Sequence, residues 1–124
     1  MPFIAATDAT LFSLPGVTFT ALAAPSRGAN ETAAWRLRMA PHTSPHPHRL
    51  TREEVFIVLS GQAQAQVGDA RHTLGAGCAL VVPPNTAFAL SNPYDEAFEA
   101  IAMLPVGGRA IIGDEAPFVP PWAQ

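Results

Sequence analysis

A chain of 124 residues, 48% hydrophobic and 14% charged, is the right size for one globular domain, residues 1–124, with its own core. Its formal charge of -3 offers no basic field for a phosphate backbone, so nucleic acid is excluded as an expected partner. All seven basic residues are Arg, which rules out Schiff-base and Walker-type lysine chemistry.

Thirteen prolines and nine glycines divide the chain into short runs, the punctuation of an all-β sandwich or barrel. In chain order the expected strands are Leu11–Leu14, Val17–Ala23, Ala33–Met39, Glu54–Leu59, Gln62–Val67, Arg71–Leu74, Ala79–Val82, Ala87–Leu90 and Ala97–Leu104. Turn signals join them at Leu14–Gly16, Val67–Ala70, Leu74–Gly77 and Pro83–Asn85. Along Ala33–Met39, Trp35, Leu37 and Met39 alternate with Arg36 and Arg38, giving one dry and one wet face. Glu54–Leu59 is apolar on both faces after its glutamate, as in a strand covered on two sides. The Pro-rich end "APFVPPWAQ" is expected to lie extended across the body. No apolar run is long enough to cross a bilayer, and the start lacks the basic region of a signal peptide, so a cytoplasmic protein is expected. The lone Cys78 cannot form an internal disulfide, in keeping with a reducing compartment.

Three of the four histidines fall in "PHTSPHPH", just before the strand headed by Glu54. On an extended backbone His46 and His48 project to one face and can share a metal ion. Glu54 opens an apolar run, where burying a carboxylate is costly unless something ionic satisfies it. Two His and one carboxylate suit non-haem Fe(II), and Zn, Ni, Mn and Cu are chemically open as well. By itself, an H-x-H pair reads first as a solvated loop.

Residues 40–92 resemble the two sequence motifs of the cupin family. The first reads "APHTSPHPHRLTREEVFIVLSG", with Ala40 in the glycine position, His46 and His48 as the pair, Glu54 as the glutamate and Gly61 as the closing glycine. The second reads "GCALVVPPNTAFALSN", with Gly77, Pro83 and Asn92 in place, Asn85 replacing a glycine and Phe88 replacing a histidine. The resemblance implies an all-β double-stranded β-helix, or jelly-roll barrel, with one divalent metal ion held by His46, His48 and Glu54. Phe88 removes the usual fourth ligand, leaving a three-ligand centre with open positions or a pocket that has lost its metal. His48 and Glu54 are five residues apart rather than three or four, which raises Glu53 as a rival. Glu54 is favoured for its spacing to Gly61 and its strand parity with Phe56 and Val58, expected to face the interior. Trp35, Leu37, Met39, Phe56, Val58, Phe88 and Leu90 are the expected pocket lining.

Elsewhere the plainer reading is preferred. His42 and His72 are expected in solvent, Arg36, Arg38 and Glu53 at the surface, and Cys78 as a buried inert thiol. Tyr94 lies in a turn, and Gln62, Gln64 and Gln66 form a polar stripe that edges the pocket or faces water. Two functions stay open: a metal-dependent enzyme of oxygenase, isomerase, lyase or cyclase type acting on a small molecule, and a metal-free small-molecule binding or sensing module. The doubly apolar strand implies a two-fold homodimer through Val55, Ile57 and Leu59, with N-terminal strands available to the interface.

Overall fold

The structure is a computed structural model that describes residues 1–124. Eleven strands form: β1 (Thr10–Leu14), β2 (Val17–Ala23), β3 (Thr32–Met39), β4 (Arg49–Leu50), β5 (Glu54–Ser60), β6 (Gln62–Val67), β7 (Ala70–Gly75), β8 (Ala79–Val82), β9 (Phe88–Ser91), β10 (Phe98–Pro105) and β11 (Ala110–Ile111). A six-stranded sheet runs β1-β2-β3-β10-β5-β8, a three-stranded sheet runs β7-β6-β9, and β11 pairs with β4. All pairings are antiparallel. Each expected strand is present, within a few residues of its expected ends. The two-residue strands β4 and β11 are additions, too short to carry a periodic signal.

Period-two alternation builds the core. Along β3, Ala33, Trp35, Leu37 and Met39 are buried while Arg36 and Arg38 are exposed. Their antiparallel neighbours on β10, Phe98, Ala100, Ala102 and Leu104, are buried too. These meet Ala63 and Ala65 of β6, Leu74 of β7 and Phe88 and Leu90 of β9 in one cluster, so the two larger sheets close on a shared interior. On β5, Glu54, Phe56 and Val58 face that interior, and Val55, Ile57 and Leu59 face outward.

Two turn positions explain residue choices that the motifs alone leave unexplained. Asn85 has φ of 58°, the left-handed conformation that glycine adopts freely and that Asn tolerates better than most residues. Its N–H donates to the Leu50 carbonyl at 2.7 Å, tying the β8–β9 turn to β4. Gly61, at φ +75°, joins β5 to β6, and a Cβ there would sit 2.1 Å from the Ala97 carbonyl oxygen, so no side chain fits. Asn92 is fully buried and clips three segments together. Its amide donates to the carbonyls of Met39, Ala40 and Glu96, and its Oδ1 accepts from Tyr94 N–H.

Cys78 differs from expectation. It is exposed, because it lies in the turn before β8, where its N–H bonds back to Gly75 and its side chain leaves the sheet. The tail crosses the barrel mouth in extended form as far as Pro120, with Phe118 bridged to Ala110, and only Pro121–Ala123 depart from it as a 3-10 turn.

Candidate functional site

A cavity of about 470 Å3 opens between the sheets, and 14 of its 21 lining residues are hydrophobic, the composition of a small-molecule site. Trp35, Leu37, Met39, Phe56, Phe88 and Leu90 line it; Val58 is buried in the core behind them. The polar groups that reach it are His46, His48 and Glu54. Glu54 is placed by β5, where its register partner is Val82. His48 is placed by a bridge to Phe88, with mutual backbone hydrogen bonds of 3.0 and 2.9 Å.

Glu54 is only 4% exposed. Burial alone pushes its carboxyl up to about 8, since no neighbouring cation or hydrogen-bond donor favours the charged form. At neutral pH it is therefore mainly a neutral acid with an O–H to donate. Burial likewise pushes His48 below the usual imidazole value, a shift that its backbone hydrogen bond opposes and the His46 ring reinforces. His48 Nδ1 lies 2.9 Å from the His46 carbonyl oxygen. A carbonyl only accepts, so Nδ1 carries the proton and Nε2 of the neutral ring holds the lone pair. The ring stands 4.5 Å from that of Phe88, which in turn makes an edge contact with Phe56 at 5.9 Å. Phe88 thus occupies the space beside both His48 and the strand of Glu54.

The expected metal ligands share the cavity without gathering at one point. No three His, Cys, Asp or Glu side chains lie close enough together to hold a metal ion. His46 is exposed and approaches His48 through its carbonyl, whereas Glu54 is buried. In this arrangement the donor set does not fit a shared ion. Glu53 is exposed, away from the cavity.

The remaining candidates lie elsewhere. His42, with φ of 57°, is exposed and pairs with Asp95 at 2.8 Å. His72 is exposed on β7. Arg36 pairs with Glu99 at 3.0 Å on the outer sheet face, and that bond holds the Glu99 carboxyl below its usual value. Gln64 donates to Thr73 and to Tyr94 Oη, and Gln66 accepts from Arg71. None of the three glutamines lines the cavity.

Sequence reasoning missed the tail. Phe118, Pro120 and Trp122 form part of the cavity wall. Trp122 stacks on Phe19 with centroids 3.6 Å apart and planes at 1°, and meets Trp35 edge-on at 6.4 Å. An available signal was "FVPPW" itself: large aromatics in a Pro-rich stretch need a surface to cover.

Comparison with known proteins agrees with this architecture. The cupin domain family matches residues 35–104. No curated protein matches the sequence. Among solved structures, the polyketide cyclase RemF from Streptomyces resistomycificus superimposes with a TM-score of 0.74 at 18% identity, over 85% of this chain and 79% of that one. Rru_A2000 from Rhodospirillum rubrum, a cupin-2 domain, gives 0.73 at 17% identity, over 97% and 82%. KdgF from Halomonas sp. gives 0.67 at 17% identity, over 83% and 93%. The family match spans more than half of the chain, both motifs fall on the strands and turns described above, and the barrel is the same: the chain belongs to the cupin family.

Proposed function

We propose that the barrel binds an apolar small molecule and moves a proton on it, with Glu54 as acid and His48 as base. The observation that carries this is the pairing of a neutral buried carboxyl with a neutral imidazole in one apolar cavity. Burial raises the carboxyl and lowers the imidazole, so both rest neutral, and the two proton transfers leave an imidazolium and a carboxylate that the return of the protons neutralises again. The reaction class that suits them is enolisation of a ketone and the isomerisation, cyclisation or dehydration that follows from an enol. His48 Nε2 takes the proton from the carbon beside the carbonyl, and the C–H electron pair becomes the C=C bond. The carbonyl oxygen takes a proton from Glu54. The aromatic wall excludes water and keeps both groups neutral between turnovers. A polyketide cyclase on the same fold supports a carbonyl substrate by analogy.

A second reading has one observation in its favour. His48 Nδ1 is fixed by a carbonyl, so Nε2 is presented as it is in metal-bound histidines. Movement of His46 toward the buried Glu54 would assemble the 2-His-1-carboxylate set for a divalent ion, which would supply Lewis-acid or oxygen chemistry when bound.

One assay tests both. Exchange of the protons next to the 2-tetralone carbonyl in D2O, followed by proton NMR with chelated and dialysed protein, should be faster with wild type than with buffer. His48→Ala should lower the catalysed rate by about 10²-fold, and Glu54→Gln by about 10-fold. A rate equal to that of buffer would overturn the proton-transfer reading. Activity that disappears with chelator and returns with a divalent ion would transfer the function to the metal set.

We also propose that the outer face of the six-stranded sheet pairs two copies of the chain. Ile57 and Val55 of β5 lie beside Ile101 and Met103 of β10, and Val55 lies beside Val81 of β8. Val81 is 53% exposed and Leu59 41%. The tail lies at the cavity and does not cover this face, so a second copy is the cover that the expected homodimer supplies.

A further inference from the structure

We infer that the cavity selects uncharged planar aromatic compounds of two or more fused rings, and that Trp122 is the residue that recognises their ring system. The inference rests on the reading of the cavity as a small-molecule site and names its ligand class. Charge is the first argument. The chain has no lysine, and none of its seven arginines lines the cavity. A carboxylate, phosphate or sulfate would leave water for an apolar wall with no permanent cation to receive it, which is strongly unfavourable. Neutral hydroxyl and carbonyl groups carry no charge that the apolar wall would have to receive, so they meet no such obstacle.

Shape is the second argument. The wall is aromatic on two sides: the Phe19, Trp122 and Trp35 group, and the Phe56 and Phe88 pair. Flat π faces are best satisfied by another flat ring system in offset or edge contact. The Trp122 indole is anchored at both ends of its segment. Phe118 and Ala110 exchange two backbone hydrogen bonds at 2.7 and 3.0 Å, and Ser26 Oγ donates to the Gln124 carbonyl at 2.6 Å. A fixed platform costs little ordering entropy when a ligand stacks on it.

Isothermal titration at pH 7 with 2-naphthol and 2-naphthoate separates the possibilities, since the two probes share a ring system and differ in charge. Wild type should bind 2-naphthol, with 2-naphthoate at least about 100-fold weaker. Trp122→Phe should hold naphthol affinity within about three-fold and Trp122→Ala should lose at least about 10-fold. Ile112→Arg, which places a cation at the cavity rim without touching the core, should recover naphthoate binding by about 10-fold. Equal or tighter binding of 2-naphthoate by wild type would overturn the selectivity and leave the small-molecule reading standing. Unchanged naphthol affinity in Trp122→Ala would overturn the role of the indole. Binding of neither probe would remove the cavity reading and this inference with it.

Discussion

Glu54→Gln should make the protein more stable than wild type in alkaline solution and should flatten its stability between pH 6.5 and 9. The carboxyl titrates near 4.5 when free and near 8 when folded, so across that interval the native state holds a proton that the unfolded state has released. Stability from this group is complete below about pH 4.5, declines as pH rises and is fully lost above pH 8. The shift corresponds to roughly 4–5 kcal/mol in all, at ~1.4 kcal/mol per unit. About 2 kcal/mol of this remains to be lost above pH 6.5. His48 acts in the opposite sense. Its folded value is lowered, so its contribution is present above the ordinary imidazole value of 6.5 and is lost as the solution becomes more acidic. Starting the comparison at pH 6.5 therefore leaves His48 only a small part, opposite in sign to that of the glutamate. Gln has the same shape and no charge to desolvate. Urea melts at pH 6.5 and 9 should show a wild-type loss that the variant lacks; parallel losses would mean that Glu54 does not sit in the apolar environment described here.

The burial behind that expectation was legible in the sequence for a simple reason. A glutamate at the head of "VFIVLS" shares strand parity with Phe56 and Val58, and period-two geometry leaves it one direction to face. The same logic placed the buried faces of β3 and β10 and identified part of the cavity wall. It does not reach features that depend on distant parts of the chain. The strands β4 and β11 are two residues each and exist only because 49–50 and 110–111 meet. Trp122 joins the cavity because Phe118 pairs with Ala110 and Gln124 is tied to Ser26, contacts that no local pattern encodes. Cys78 misled because it adjoins an apolar run, yet it belongs to the turn that precedes it. The His pair shows a different limit. Alternation can place two imidazoles on one side of a strand, but 45–48 forms no regular strand. The His46 carbonyl, not its ring, turns to His48.

Ile57→Glu should halve the mass of the particle in solution. Ile57 lies near the middle of the outward apolar face, with Ile101 directly across on β10 and Ala79 on β8. Such a face spans roughly 15 Å across three strands, and a stable two-fold contact built on it should bury about 1,200 Å2 or more in total. In an isologous interface one substitution enters twice, so two carboxylates would be buried against an apolar surface. The Arg36–Glu99 pair borders this face, and its charges are already matched. Light scattering at micromolar concentration should give twice 13.1 kDa for wild type and the single-chain mass for Ile57→Glu. A wild-type monomer at that concentration would refute the interface. The cavity would be unaffected, since its lining lies on the opposite side of the sheet.

The claim that the barrel interior is where a ligand sits is tested most directly by the two tryptophans, the only ones in the chain, because both line the cavity. Each contributes one indole N–H resonance to a nitrogen–proton correlation spectrum. Titration with 2-naphthol should move both signals, along curves that saturate together and give one dissociation constant. Two indole signals that stay in place while the compound binds would put the ligand elsewhere on the protein and contradict the account.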